Sequence, residues 1–201
     1  MIAGWLLVAL TRLLSSAHVR WVGVRPDAVQ RVYVANHSSH LDFIVLWSSL
    51  PARLRARTRP VAGSDYWERG AVRRYLARNV FHAVLIDRQH AVDAREALEA
   101  MARALDGGDS LILFPEGTRG TGRELAPFRG GLYHLAQRRP DVEIVPVYLA
   151  NLNRILPKGE VLPAPLLSRV TFGPPITLAA GEEKGAFLAR ARESVARLAD
   201  A

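Results

Sequence analysis

Residues 36–42, Asn-His-Ser-Ser-His-Leu-Asp, place side chains suited to acid–base or metal chemistry directly after a predicted strand. If a helix starts at Ser39, His37 lies in the loop before it, and Asp42 in the first turn can reach the imidazole. A neutral imidazole accepts a proton near neutral pH, and a carboxylate on its other nitrogen fixes the tautomer and stabilises the imidazolium. His37 and Asp42 are therefore predicted to be a general base and its orienting acid.

Two other interpretations of this segment stay open. Ser39 and Asp42 have the spacing of a capping box, in which Asp42 would only bond the backbone at a helix start. Alternatively, His37, His40 and Asp42 could be ligands in a metal-dependent hydrolase. Because the remaining histidines lack a paired carboxylate motif and H-E-x-x-H is absent, we predict no metal site.

The chain carries no signature of a protein nucleophile for this base to activate. It has no cysteine and no serine in a G-x-S-x-G turn, so thiolate nucleophiles, thiolate metal ligands and disulfides are excluded. We therefore expect the activated hydroxyl to belong to the substrate. Backbone N–H groups near Ser38 and Ser39 are candidate donors to an oxyanion.

Two further polar turns follow predicted strands. Phe114-Pro-Glu-Gly-Thr-Arg119 follows the most apolar strand, and Ile86-Asp-Arg88 follows another. In open α/β sheets, ligands bind at the carboxyl ends of strands. Since arginine binds phosphate through a planar fork, Arg88 and Arg119 beside a histidine base would form a phosphate clamp. For either turn alone, a surface salt bridge is the simpler interpretation.

Strands and helices alternate along the rest of the chain. Apolar runs predict strands at 32–35, 59–62, 83–86, 111–114 and 144–149. Helices are predicted at 41–50, 66–78, 92–105 and 182–198. Segment 156–175 contains five prolines and is predicted to be stiff and irregular. This order indicates an α/β fold with a mostly parallel central sheet flanked by helices.

Composition indicates one domain with an arginine-rich surface. The chain has 201 residues, 49% of them apolar, which suits a single buried core. All but two of its 27 basic residues are arginine, and the net charge is +8. An anionic partner such as nucleic acid, anionic lipid or a phosphorylated substrate fits this charge, and so does codon bias alone. Because no nucleic-acid-binding module is recognisable, we expect no nucleic-acid partner.

The first 14 residues form an apolar segment with Arg12 as the sole charge. This is shorter than the roughly 20 residues of a membrane-spanning helix, and it lacks the basic start of a secretory signal. With Trp5 and Trp21 at its ends, we predict that residues 1–25 form a helix in the interface of an anionic membrane, before a single domain over 26–201. The alternative is a terminal helix that docks on the core.

Together these motifs resemble those of one family. The pattern N-H-x-x-x-x-D at 36–42, I-D-R ending at Arg88, F-P-E-G-T-R at 114–119 and the strand around Pro146 occur in the order and approximate spacing of the lysophospholipid acyltransferases. This family includes 1-acylglycerol-3-phosphate acyltransferase. The resemblance covers residues 30–150, roughly, and the combination of motifs is specific where each alone is weak.

The resemblance implies an O-acyltransferase of phospholipid biosynthesis. His37, oriented by Asp42, would deprotonate the free hydroxyl of a lysophospholipid, with 1-acylglycerol-3-phosphate as the expected acceptor. That hydroxyl would attack the thioester of acyl-CoA or acyl carrier protein, which serves as co-substrate, so that no metal or other cofactor is required. A lysolipid without phosphate, such as lyso-ornithine lipid, is the alternative acceptor.

The resemblance also implies the binding residues and the location. The residues expected to hold the acceptor phosphate are Arg88, Glu116, Gly117, Thr118 and Arg119, and Pro146 would line the acyl side. The protein would lie peripherally on the cytoplasmic side of the cell membrane.

Three features depart from the family pattern. His82 stands where members often have glycine, and Gly63 stands where many have lysine. The alternating arginines of segment 53–59 would point to one side if extended. They would then form either a contact for acidic lipid or carrier protein, or a charged sheet edge exposed to solvent.

Overall fold

The structure, a computed structural model, describes residues 2–39, 41–87, 93–120, 124–152 and 168–201. Its strands are β1 (His18–Trp21), β2 (Arg31–Ala35), β3 (Thr58–Gly63), β4 (Val84–Ile86), β5 (Ser110–Leu113), β6 (Glu143–Ala150) and β7 (Arg169–Phe172). Its helices are α1 (Ile2–Ser15), α2 (Asp42–Ser49), α3 (Ala52–Arg55), α4 (Ser64–Trp67), α5 (Ala71–Tyr75), α6 (Asp93–Asp106), α7 (Gly131–Arg138) and α8 (Lys184–Ala196). A π-helical turn at Leu76–Val80 and a 3₁₀ turn at Arg197–Ala199 complete the described elements.

One sheet joins the strands in the order β1-β7-β6-β2-β5-β3-β4. Every neighbouring pair is parallel except β6 and β7. The predicted α/β fold with a mostly parallel sheet is confirmed. Because β2 pairs with both β5 and β6, the carboxyl ends of β2 and β5 lie side by side.

The core is divided between the two faces of this sheet by the alternation of side chains along β2. Tyr33 and Ala35 pack on the face covered by α1 and α2. Val32 and Val34 pack on the face covered by α6, α7 and α8. All five residues of β2 are buried, so this central strand is a rigid base for the loop that follows it.

The two strands β1 and β7 are not predicted from sequence. The helix expected over residues 1–25 ends instead at Ser15, and β1 joins the sheet. Within the proline-rich segment, β7 pairs with both β1 and β6, while residues 153–167 lie outside the described residues. Both strands are four residues long and gain their stability from distant partners, as in the stacking of Trp21 on Phe172 with ring centres 3.9 Å apart.

The single helix predicted over 66–78 is also wrong, because Gly70 divides it. Its φ of 88° is incompatible with a continuing helix. The chain forms α4, α5 and the π-helical turn in its place.

The arginine run at 53–59 does not lie along one strand. Its first half is in the helix α3, and the strand begins only at Thr58. The segment is therefore not extended, which was the condition for these arginines to share one side.

Helix α1 docks on the core, as the alternative interpretation of the N-terminal segment expects, and its outer side is apolar. Val8 and Thr11 are buried against the core, while four large apolar side chains are 53–75% exposed, namely Trp5, Leu6, Leu10 and Leu13. None of the described helices has the length and apolar character needed to cross a bilayer. The helix therefore docks on the domain and still presents an apolar stripe outward.

We expect Leu46→Ala to destabilise the fold strongly, because this α2 side chain is fully buried. Loss of its contacts should lower the free energy of unfolding by about 2–5 kcal/mol. Leu13→Ala, at a position 75% exposed, is the matched control and should stay within about 0.5 kcal/mol. Urea titration of both variants checks this, and equal losses would contradict the described packing.

Candidate active site

The loops after β2 and β5 are joined at the backbone of His37. The His37 N–H donates to Glu116 Oε1 at 2.7 Å, and the Gly120 N–H donates to the His37 carbonyl at 2.8 Å. The two predicted motifs are thus brought together because their strands are neighbours in the sheet.

Asp42 and His37 are in direct contact, as their spacing predicts. Nδ1 of His37 lies 2.8 Å from Asp42 Oδ2, and Asp42 is fully buried. The same oxygen accepts the backbone N–H groups of Ser38 at 2.5 Å and Ser39 at 2.8 Å. The contact with the loop backbone and the contact with the base therefore occur together, on one atom.

These contacts set the chemistry of the histidine and correct one expectation. Because a carboxylate oxygen can only accept, Nδ1 carries the hydrogen and Nε2 is left as a proton acceptor. The N–H groups of Ser38 and Ser39 are already bonded to Asp42, so the expectation that they stabilise an oxyanion is wrong.

The His37 ring lies beside a cleft of about 350 Å³. The ring stacks on Phe114 with centres 4.4 Å apart, and 23% of the side chain is exposed. Large apolar side chains form much of the cleft wall, namely Phe43, Val61, Trp67, Phe81, Ile86 and Leu113. The base therefore borders an opening whose wall suits an apolar group.

Arg119 supplies a cation to this cleft. Thr118 and Arg119 line it together with Gly117. No carboxylate of the described residues lies within ion-pair distance of the Arg119 guanidinium. The Arg119 guanidinium is therefore available to bind an anion in the cleft.

Glu116 does not face the cleft, which corrects its predicted contact with substrate. Only 4% of the residue is exposed, and its second carboxylate oxygen accepts the Ala126 N–H at 2.8 Å. Its first oxygen accepts the His37 N–H. Glu116 therefore fastens the loop of the base to the loop around Ala126.

The turn after Glu116 requires glycine. Gly117 has a φ of 73°, and the Arg129 side chain occupies the space that a Cβ would need. Arg129 Nε also donates to the Glu116 carbonyl at 3.3 Å. Arg129 lies outside the recognised motifs, and no spacing signal in the sequence identifies it as a support of this turn.

The Asn36 side chain continues the hydrogen bonding between β2 and β6 beyond the end of β2. Its Nδ2 donates to the Leu149 carbonyl at 3.0 Å, and its Oδ1 accepts the Leu149 N–H at 2.7 Å. The amide thus replaces a peptide group between β2 and β6, and it fixes the direction in which the chain continues to His37. The sequence motif includes Asn36 but does not indicate this role.

Pro146 is not brought to the cleft. It pairs in register with Val34, whose side chain packs on the face of α6, α7 and α8, and its ring lies near Gly173. His37 follows Ala35, which packs on the opposite face. The expectation that Pro146 lines the acyl side therefore has no support in the geometry.

Two predicted residues, Arg88 and His40, lie outside the described residues. The role of Arg88 in a phosphate clamp stays a prediction. Within the described part of the chain, no three histidine, aspartate or glutamate side chains group as metal ligands.

Comparison with known proteins defines the class. The sequence model described as Acyltransferase matches residues 19–150, which is more than half of the chain. The chain therefore belongs to the acyltransferase family.

Several relatives with which it aligns are 1-acyl-sn-glycerol-3-phosphate acyltransferases. The protein of Limnanthes douglasii is 30% identical over 152 residues, which are 72% of this chain and 50% of that protein. The alpha form of Homo sapiens is 31% identical over 136 residues, which are 67% of this chain and 46% of that protein. The chain thus spans about half the length of the curated relatives it matches.

A solved structure shares the fold. The crystal structure of the 1-acyl-sn-glycerophosphate acyltransferase of Thermotoga maritima superposes with a TM-score of 0.72. The match covers 98% of this chain and 79% of that one at 18% identity. The predicted resemblance to the 1-acylglycerol-3-phosphate acyltransferases is confirmed at the level of family and fold.

We expect Glu116→Gln to loosen the loop that carries His37. Glutamine keeps one acceptor oxygen, so one of the two bonded N–H groups would face an amide donor. The free energy of unfolding should fall by about 1–3 kcal/mol. Chemical denaturation measures this, with the exposed Glu124→Gln as control; an unchanged Glu116→Gln would contradict the described clamp.

Proposed function

We propose that this protein transfers a fatty acyl group from acyl-CoA or acyl carrier protein to the free hydroxyl of a lysophospholipid, with 1-acylglycerol-3-phosphate as acceptor and phosphatidic acid as product. The 2.8 Å contact between His37 and the buried Asp42, beside a cleft, carries the proposal. The names of the aligned relatives support the same acceptor.

The reaction begins with proton transfer to His37. Nε2 accepts the hydroxyl proton as the acceptor oxygen attacks the thioester carbonyl carbon, which forms a tetrahedral intermediate. When that intermediate collapses, the carbon–sulfur bond breaks and the leaving sulfur takes the proton from the imidazolium. The Asp42 carboxylate stabilises the imidazolium between these two steps.

The cleft supplies the remaining contacts with substrate. Arg119 would bind the acceptor phosphate, and Arg88 is the second predicted member of this clamp. The apolar wall that includes Phe43, Trp67 and Phe81 would hold the acyl chain. Because a thioester is already activated, the mechanism requires no metal or redox cofactor.

Association with the membrane follows from the character of both substrates and of α1. The lysolipid acceptor and an acyl-CoA donor are amphiphiles, so a bilayer surface concentrates them for the enzyme. The exposed stripe of α1 would lie in the interface of an anionic membrane, on its cytoplasmic side, with the protein bound peripherally.

Removal of the base tests the mechanism. With lysophosphatidic acid and labelled oleoyl-CoA in the presence of EDTA, we expect His37→Ala to lose at least about 10²- to 10⁴-fold in kcat. His18→Ala, an exposed histidine on β1, is the control and should retain turnover. Survival of turnover in His37→Ala would refute the mechanism, and dependence of the wild type on added metal would favour the hydrolase alternative.

Removal of the cleft cation tests the acceptor. We expect Arg119→Gln to raise the KM for lysophosphatidic acid by about 10- to 100-fold, because a charge-assisted bond to phosphate is lost. The KM for an acceptor without phosphate, such as lyso-ornithine lipid, should not change. A wild-type preference for the phosphate-free acceptor would contradict the proposed substrate and support the alternative lysolipid.

A further inference from the structure

A second cavity, of about 330 Å³, lies between α1, α3 and the π-helical turn. It shares no lining residue with the cleft beside His37. Its wall includes Trp5 from α1, Arg55 from α3, Ala56 directly after α3, Tyr75 from α5 and His82. The proposed acyl transfer does not use this cavity.

Arg55 is a buried cation in its wall. The residue is 8% exposed, its Nη1 donates to the Leu50 carbonyl at 2.8 Å, and its guanidinium lies 5.3 Å from the centre of the Trp47 ring. Among the described residues no carboxylate pairs with it, and the cavity lining contains no acidic residue. A buried charge without a counterion is unfavourable, so an anion in the cavity would be stabilised.

Arg12 adds a second positive charge close to Arg55. Among the described residues, the partner of Arg12 of α1 is likewise a carbonyl, that of Ser48, which it bonds through Nε and Nη2. Burial lowers the pKa of the Arg55 guanidinium, and the positive charge of Arg12 lowers this pKa further. An arginine remains charged under these conditions, and the local field therefore stays positive.

The other arginines of segment 53–59 are satisfied within the protein. Arg59 binds Asp109 through two bonds of 2.9 and 3.2 Å. Arg57 donates to the Gly107 carbonyl, and Arg53 donates to the Pro26 carbonyl from an exposed position. Of the four, Arg55 alone combines burial with contact to a cavity.

The cavity opens on the apolar surface of the molecule. Trp5 and Tyr75, both in its wall, are 65% and 52% exposed. Tryptophan and tyrosine are enriched where proteins meet the headgroup region of a bilayer. An anion that reaches Arg55 past these two rings would come from that region.

His82 adds a polar group to the same wall at a conformational cost. Its φ of 47° lies in the left-handed region, where a non-glycine residue costs about 1–3 kcal/mol. A glycine there would be unstrained but would leave the cavity without this imidazole.

We propose that this cavity binds the phosphate of an anionic phospholipid of the bilayer, with Arg55 as the fixed cation. The inference rests on the proposed membrane contact of α1 and is independent of acyl transfer. The site is separate from the acceptor site at Arg119, so the bound lipid anchors the enzyme and is not its substrate.

Binding to lipid vesicles tests the proposal. Flotation of the full chain with vesicles of phosphatidylcholine and phosphatidylglycerol is compared with vesicles of phosphatidylcholine alone. We expect Arg55→Gln to weaken binding to the anionic vesicles by about 10- to 100-fold. Arg53→Gln removes the same charge from the exposed side of α3 and should weaken it by less than about five-fold.

A second variant leaves the Arg55 side chain in place. Ala56→Glu puts a carboxylate on the cavity wall from an exposed position, where it would pair with Arg55. The fold, followed by thermal unfolding, should persist, while the preference for anionic vesicles should disappear. Equal losses in Arg55→Gln and Arg53→Gln, or an unchanged preference in Ala56→Glu, would overturn the proposal.

Two further measurements distinguish a bound lipid from free phosphate and from acyl transfer. If inorganic phosphate stabilises the protein through Arg55 while anionic vesicles bind Arg55→Gln normally, the site takes free phosphate and the proposal is wrong. His37→Ala should bind vesicles as the wild type does, and Arg55→Gln should turn over detergent-dispersed substrate normally. These measurements therefore distinguish a failure of the anchoring proposal from a failure of the proposed acyl transfer.

Discussion

The structure around the active site depends on one carboxylate oxygen, Oδ2 of Asp42. It accepts hydrogen bonds from the His37 ring and from the N–H groups of Ser38 and Ser39. A fully buried carboxylate is costly unless strong hydrogen bonds offset its desolvation. The loop therefore wraps around this atom directly before α2, and the same contacts orient the imidazole.

The rest of the sheet keeps that loop in place. Asn36 bonds Leu149 of β6 immediately before His37, and Glu116 holds the His37 N–H from the β5 side. Gly120 binds the His37 carbonyl. The base is thus held by groups from both neighbours of β2, and the precision of its position comes from the sheet and not from the loop alone.

Periodicity predicts those elements whose apolar pattern is continuous. β2, β5, β6 and α6 are found close to their expected positions, because each is buried along its length or along one clear stripe. β1 and β7 were not predicted, because each has only four residues and forms a strand by pairing with segments that are distant in sequence. Gly70 breaks a helix that the apolar pattern alone would continue.

Within the site, local contacts are predictable and tertiary ones are not. The contact between His37 and Asp42 follows from their spacing across a helix start. The orientation of the Glu116 side chain depends on a tertiary contact, because its second oxygen accepts the N–H of Ala126 in a loop ten residues later. The face of the sheet on which Pro146 lies depends on the register of β6 against β2, which the sequence does not indicate.

Helix α2 has a different task at each of its ends. Asp42, which orients the base, is at its start, and the Ser48 carbonyl, which binds Arg12 of α1, is one residue before its end. The two points are separated by about 9 Å of rigid helix. Arg12 therefore ties α1 to the same helix that orients the base, at the end opposite to Asp42.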